Sequence, residues 1–84
     1  MASREELIRA IDLALSGDWE SAHKLVQAND GDTRAARIHA ELHRQEGDDD
    51  NAMYWYRRAG IEAPPATDPE VQLVKLRDEL LQQA

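Results

Sequence analysis

The chain has no cysteine and no phenylalanine, only four glycines and three prolines, and no long apolar run. Each lack excludes something. Without cysteine there is no disulfide framework, no thiolate metal site and no cysteine nucleophile. A reducing compartment, the cytoplasm, is therefore expected. No apolar stretch approaches the roughly 20 residues that a membrane span needs. The opening Met1-Ala2-Ser3-Arg4-Glu5-Glu6 lacks the basic start and apolar stretch of a signal peptide. Four scattered glycines cannot form a loop that cradles phosphate. Basic charge is also scarce, with 10 Lys and Arg against 17 Asp and Glu and a net charge of −7. Nucleic acid and anionic membrane surfaces are thereby excluded as expected partners, because both attract basic surface.

What is present suits one small helical domain. Eighty-four residues fit a single domain. A domain of this size buries only roughly 60–65% of the surface its unfolded chain exposes, so its margin of stability is thin unless it pairs with something. The four aromatic residues are Trp19, Tyr54, Trp55 and Tyr56, which leaves Leu, Ile and Ala to build most of the core.

Five segments carry a helical period. Ser3 with Glu6 is a capping-box pattern, and Leu7, Ile11 and Leu15 continue it as one stripe up to Ser16-Gly17. Asp18 caps a second helix through Trp19, Ala22, Leu25 and Val26, which Asn29-Asp30-Gly31-Asp32 ends. A third carries Ala35, Ile38, Leu42, His39 and His43 as far as Gly47. A fourth follows Asp48, with acids in its first turn and Arg57 and Arg58 in its last, the signs that the helix dipole favours. Ala63-Pro64-Pro65-Ala66 is a linker. Asp68 as cap and Pro69 at the first helical position open the fifth helix, whose wide apolar arc of Leu73, Val74, Leu76, Leu80 and Leu81 calls for more than one neighbour. No alternating β-branched run is present. The expected fold is all-α with five helices: two stacked antiparallel hairpins (residues 3–29 and 32–60), a Pro-containing linker (61–67) and a C-terminal packing helix (68–83).

The hairpins repeat at a spacing of about 30 residues. Gly17-Asp18 aligns with Gly47-Asp48, Ala22 with Ala52, Ala10 with Ala40 and Ile8 with Ile38. Large residues coincide at Leu25/Trp55 and Val26/Tyr56. The string Glu46-Gly47-Asp48-x-x-Asn51-Ala52-x-Tyr54-Trp55-Tyr56-Arg57-Arg58-Ala59 resembles the second helix of a Sel1-like repeat. Gly17-Asp18-Trp19-x-x-Ala22 is similar to the turn of a tetratricopeptide repeat. The stretch from Ile38 to Gly60 is also similar to short bacterial and fungal proteins. Ala40-Glu41 stands where the repeat family has a small Leu-Gly pair. The resemblance implies a protein-binding scaffold without catalysis.

Three constellations bear on chemistry. His39 and His43 stand one turn apart, a spacing that can present two imidazoles to one metal, and His23 could supply a third. The plainer expectation puts His39 and His43 at a helix–helix seam, bonded to carbonyls or to Glu46, with no metal bound and no zinc effect on the melting temperature. Asp30-Gly31-Asp32 with Glu41 fails as a calcium loop, because Arg34 and Ala35 stand where an oxygen ligand and a glycine are needed. Tyr54-Trp55-Tyr56 spans about 200° of a helix, so not all three are core; Tyr54 is expected over the fifth helix or an arginine.

The expected function is a small non-catalytic protein–protein interaction module. Tyr54, Arg57 and Arg58, joined by Arg37 and Arg44, are its binding surface for an unknown protein or acidic peptide. No catalytic or cofactor-binding residue, and no cofactor, is expected. The alternative is a small metal- or ligand-binding protein, catalytic or not, using His23, His39, His43 and Glu46. A homodimer through the C-terminal helix is a further expectation.

Overall fold

A computed structural model describes residues 2–83. It is all-helical: α1 (Arg4–Leu15), α2 (Trp19–Gln27), α3 (Thr33–Gln45), α4 (Asp49–Arg58) and α5 (Pro69–Gln82). Among the described residues there is no strand, and no helix is long and apolar enough to cross a membrane.

Local chemistry sets the helix ends. Ser3 and Glu6 form the capping box, each side chain accepting from the other's backbone N–H. Asp18, Asp32 and Asp48 cap α2, α3 and α4 through their carboxylates. Asp68 differs: its side chain makes no cap bond. At that end Gln72 reaches back to the Thr67 hydroxyl instead.

The two short turns are copies of each other. Gly17 has φ +93° and Gly47 φ +82°, the left-handed region that glycine adopts without a Cβ penalty. Behind each glycine the aspartate N–H bonds a carbonyl five residues earlier, Asp18 to Leu13 at 2.8 Å and Asp48 to His43 at 2.8 Å. This closes a helix C-terminus and opens the next helix within two residues. Connections this short oblige α1/α2 and α3/α4 to run as antiparallel hairpins.

The 30-residue register carries into the core. Ala10, Ala22, Ala40 and Ala52 are all buried, as are Val26 and Tyr56. Small residues at the hairpin seams let the helices approach, and large ones fill the space a turn later. Ile8 and Ile38 break the pattern: Ile38 is buried, whereas Ile8 stays partly exposed.

α3 is the centre and touches every other helix. The main core joins Leu7 and Ile11 of α1, Val26 of α2, Ile38 and Leu42 of α3, and Leu73, Leu76 and Leu80 of α5. A smaller cluster joins Ala40, Ala52 and Tyr56 between α3 and α4. α5 packs on α1 and α3, so its apolar arc does serve two neighbours. The remainder of that arc (Val74 and Leu81) is exposed, as is Val71, and the exposed Asp78 falls on the same side of the helix by its spacing.

The equivalence of the turns is testable. Gly17→Ala and Gly47→Ala should each destabilise by about 1–2 kcal/mol, the cost of a left-handed L-residue. A Cβ at either position meets no atom within 4 Å, so the penalty is backbone alone. Urea denaturation reads it; markedly unequal losses would break the equivalence.

Candidate functional site

The expected site residues fall into three groups. The first is a histidine cluster between α2 and α3. His39 and His43 sit one turn apart on α3 with their rings stacked at 4.9 Å. His23 crosses from α2, its Nε2 3.0 Å from Nε2 of His39. One ring nitrogen from each of the three lies within 4.8 Å of the other two. The helix spacing makes the α3 pair legible in the sequence; the crossing of α2 over α3 supplies the third.

Aromatic packing fixes these rings. Trp19 stacks on His23 at 4.7 Å, and Trp55 stacks on His39 at 3.9 Å. The Trp19 indole N–H donates to the Leu42 carbonyl at 2.7 Å, which anchors that clamp to α3. His43 Nδ1 is 2.6 Å from the Glu46 carboxylate, which accepts its N–H. At the seam His43 thus has Glu46 as its partner. His39 is bonded to another imidazole rather than to a carbonyl, and its Nδ1 is buried without a partner among the described residues.

Burial pushes the His39 imidazole down to about 3, and His23 and His43 beside it add to the shift. Burial also lowers His23, helped by His43 and opposed by Glu46.

The second group is a buried polar triad between α3 and α4. Glu41 is fully buried. Its carboxylate accepts from the Tyr56 hydroxyl at 2.5 Å and from Arg44 Nη1 at 2.9 Å. Arg44 also donates to the Thr67 carbonyl at 2.7 Å, which ties the linker to α3. Burial pushes Glu41 up, while the bonds from Tyr56 and Arg44 pull it back. Burial and Glu41 together raise the Tyr56 phenol. The guanidinium of Arg44 is thus committed inward. The residue that sequence reasoning missed is Glu41, whose only signal was an i, i+3 arginine.

The third group holds the remaining arginines and Tyr54. Tyr54 is half exposed, and its hydroxyl accepts from Arg58 at 3.2 Å. The Arg58 guanidinium lies 5.8 Å from the Tyr54 ring and 5.3 Å from the Trp55 ring, within cation–π range. Tyr54 therefore meets an arginine and not α5. Arg57 is exposed beside them. Arg37 stands elsewhere, at a cleft of about 270 Å³ between α3 and α5 that also reaches Ala59 and Ile61. Arg37 pairs with Glu79 at 3.4 Å, while its buried Nε has no acceptor among the described residues.

Two measurements follow from this geometry. Glu41→Ala removes the carboxylate partner of Arg44 and the acceptor of the Tyr56 hydroxyl, leaving Arg44 its bonds to Thr67 and Tyr56, and should cost about 3–5 kcal/mol in urea denaturation; a loss under about 1 kcal/mol would make the triad ornamental. The second is pH dependence. An unfolded His39 takes up a proton near 6.5 and the folded one only near 3, so acid favours the unfolded chain and stability falls as pH drops through 6.5. His23 from α2 and His43 with Glu46 from α3 face His39, and α4 offers only the neutral Trp55. At pH 5 the His39 contribution to the loss is about 2 kcal/mol, worth roughly 8–16 °C in Tm for a domain this small; the lowered His23 adds to it and the raised Glu41 opposes it. Asp32 adds nothing in that window: despite burial, bonds from Arg34, Ala35 and Ala2 hold it below the ordinary carboxylate range. A wild-type Tm unchanged between pH 7.5 and 5, or a His39→Leu variant with the same slope as wild type, would count against a neutral buried His39.

No family model, no curated protein and no solved structure matches this chain.

Proposed function

We propose that the chain is a small non-catalytic protein–protein interaction module of the tetratricopeptide/Sel1-like type, which takes an acidic segment of a partner at the α3/α5 cleft. The observation that carries this reading is Arg37. A cleft of about 270 Å³ holds one or two side chains, and Ile38, Ile61, Leu76 and Leu80 line it with apolar surface. Arg34, Arg37 and Glu79 stand on the same lining; Glu79 takes Arg37 Nη1 at 3.4 Å, and the buried Arg37 Nε has no acceptor among the described residues. A buried guanidinium N–H without a partner is costly, and an incoming carboxylate would satisfy it with a charge-assisted bond. The occupant that fits is an extended peptide with one apolar side chain next to Asp or Glu.

The 30-residue repeat of turn, cap and alanine supports the helical-repeat reading. Lack of cysteine fits a place in the cytoplasm. The exposed Tyr54–Arg58 pair and Arg57 offer further contacts to the same kind of partner, because aromatic and arginine side chains concentrate binding energy.

The test is fluorescence anisotropy with labelled peptides carrying Leu or Met beside acidic residues, against the same peptides with Lys for Glu. The acidic set should bind, weaken with salt, and lose at least tenfold in affinity to Arg37→Glu. Equal binding of both sets, or an unchanged affinity in a folded Arg37→Glu variant, sinks the reading.

A further inference from the structure

The three imidazoles between α2 and α3 do more than fill a seam. We propose that His23, His39 and His43 form a mononuclear site for a divalent transition-metal ion of the zinc class, with three nitrogen ligands and a fourth position open on the His23 side.

The donor set is the first ground. Imidazole is the borderline nitrogen ligand that suits zinc, copper and nickel rather than magnesium or calcium, and three histidines with one open position is an established zinc arrangement. The spacing is the second. With metal–nitrogen bonds of about 2.0–2.1 Å, two ligands of a tetrahedral ion stand about 3.3 Å apart. His23 and His39 already hold their Nε2 atoms at 3.0 Å, and a ring nitrogen of each histidine lies within 4.8 Å of the other two. Admitting an ion asks ring nitrogens that stand up to 4.8 Å apart to close by as much as about 1.5 Å, a side-chain movement rather than a rearranged backbone.

The surroundings are the third. Ligating histidines usually give their other N–H to a carboxylate or a carbonyl. Glu46 takes the Nδ1 proton of His43 at 2.6 Å, which leaves Nε2 as the nitrogen able to ligate. Trp19 and Trp55 lie flat on His23 and His39, at interplanar angles of 10° and 15°. Ring orientation is thus set by packing before any ion arrives, which lowers the ordering cost of binding. His39 and His43 are buried whereas His23 is only partly so, so water reaches the cluster past His23. Protons balance without release. One N–H is shared between the two Nε2 atoms, and on binding it passes to Nδ1 of the histidine that carried it. Both rings stay neutral.

A second grouping, His43 with Glu46 and Asp48, shares one histidine with this site. It is the weaker candidate, because Glu46 already occupies the His43 nitrogen that it would need. The three-histidine site is also independent of the peptide cleft. Positions 37 and 39 point about 200° apart on α3, so failure of peptide binding says nothing about the metal.

The experiment is calorimetric titration of the untagged chain with zinc chloride at pH 7.5, repeated with Co²⁺ and read by visible absorption and tryptophan fluorescence. The expected result is one Zn²⁺ per chain, the visible bands of four-coordinate Co²⁺, and quenching of the tryptophans stacked on two ligands. His39 lies in the core, so its removal tests folding as much as binding. His23→Ala is the separating variant: it should keep the helical circular dichroism of wild type and lose at least tenfold in zinc affinity. No saturable zinc binding by wild type, a stoichiometry above one, or undiminished affinity in folded His23→Ala would overturn the site.

Discussion

Everything in this molecule depends on α3 being buried on all sides while carrying polar residues. Six consecutive positions, Ile38 to His43, are buried, and six residues travel more than once around a helix. A helix in that position is ordinarily apolar throughout. This one buries two imidazoles and a carboxylate, so α2 and α4 have to supply partners as well as a surface. α2 brings His23 and Trp19, α4 brings Tyr56 and Trp55, and α5 closes the apolar side with Leu73, Leu76 and Leu80. The small size of the domain makes this arrangement consequential. With so little apolar surface to bury, a stranded polar group on α3 would remove a large part of the total stability.

The repeated hairpin explains how α3 acquires these partners. The Gly-Asp turn reverses the chain within two residues, and the alanine one turn later brings the helix axes close. In the first hairpin that close approach serves an apolar seam around Ala10, Ala22 and Val26. In the second, the same geometry puts Tyr56 at the position of Val26, and its hydroxyl needs an acceptor. Glu41 supplies it, and Arg44 neutralises Glu41. One backbone solution thus carries an oily contact in one copy and a hydrogen-bonded triad in the other.

Features written within a turn of chain, or repeated along it, were the legible ones. The 30-residue repeat made the left-handed glycines and the alanine register legible, and the capping box at Ser3 and Glu6 and the aspartate caps of α2 to α4 follow from residues three or four apart. All five helices came from that scale. Asp68 shows its limit: the residue type suits a cap, but Gln72 and Thr67 meet at that end instead. The side-chain partners were harder to read, because they join residues 15 to 42 apart. Glu41 has no visible relation to Tyr56 until α3 and α4 pair. His23 meets His39 only because α2 crosses α3 there. Arg44 and Arg37 look alike in the sequence, as cations on the same amphipathic helix. One is spent on Glu41, Tyr56 and Thr67, and the other retains an N–H without an acceptor.

The buried histidines pose the sharper physical question. Stability alone would be served as well or better by apolar residues of similar volume, since replacing buried polar groups with well-packed apolar ones is often neutral or stabilising. The cluster instead holds three imidazoles and leaves Nδ1 of His39 unbonded, a cost with no structural return. Glu46 orients His43 by a hydrogen bond, and the two tryptophans orient His23 and His39 by stacking. The core bears that cost without a compensating bond among the described residues. The opposite face of α3 carries Arg37, whose guanidinium pairs with Glu79 at 3.4 Å while its buried Nε has no acceptor among the described residues. On the two faces of α3 the fold leaves one buried nitrogen each, Nδ1 of His39 and Nε of Arg37, without a partner among the described residues.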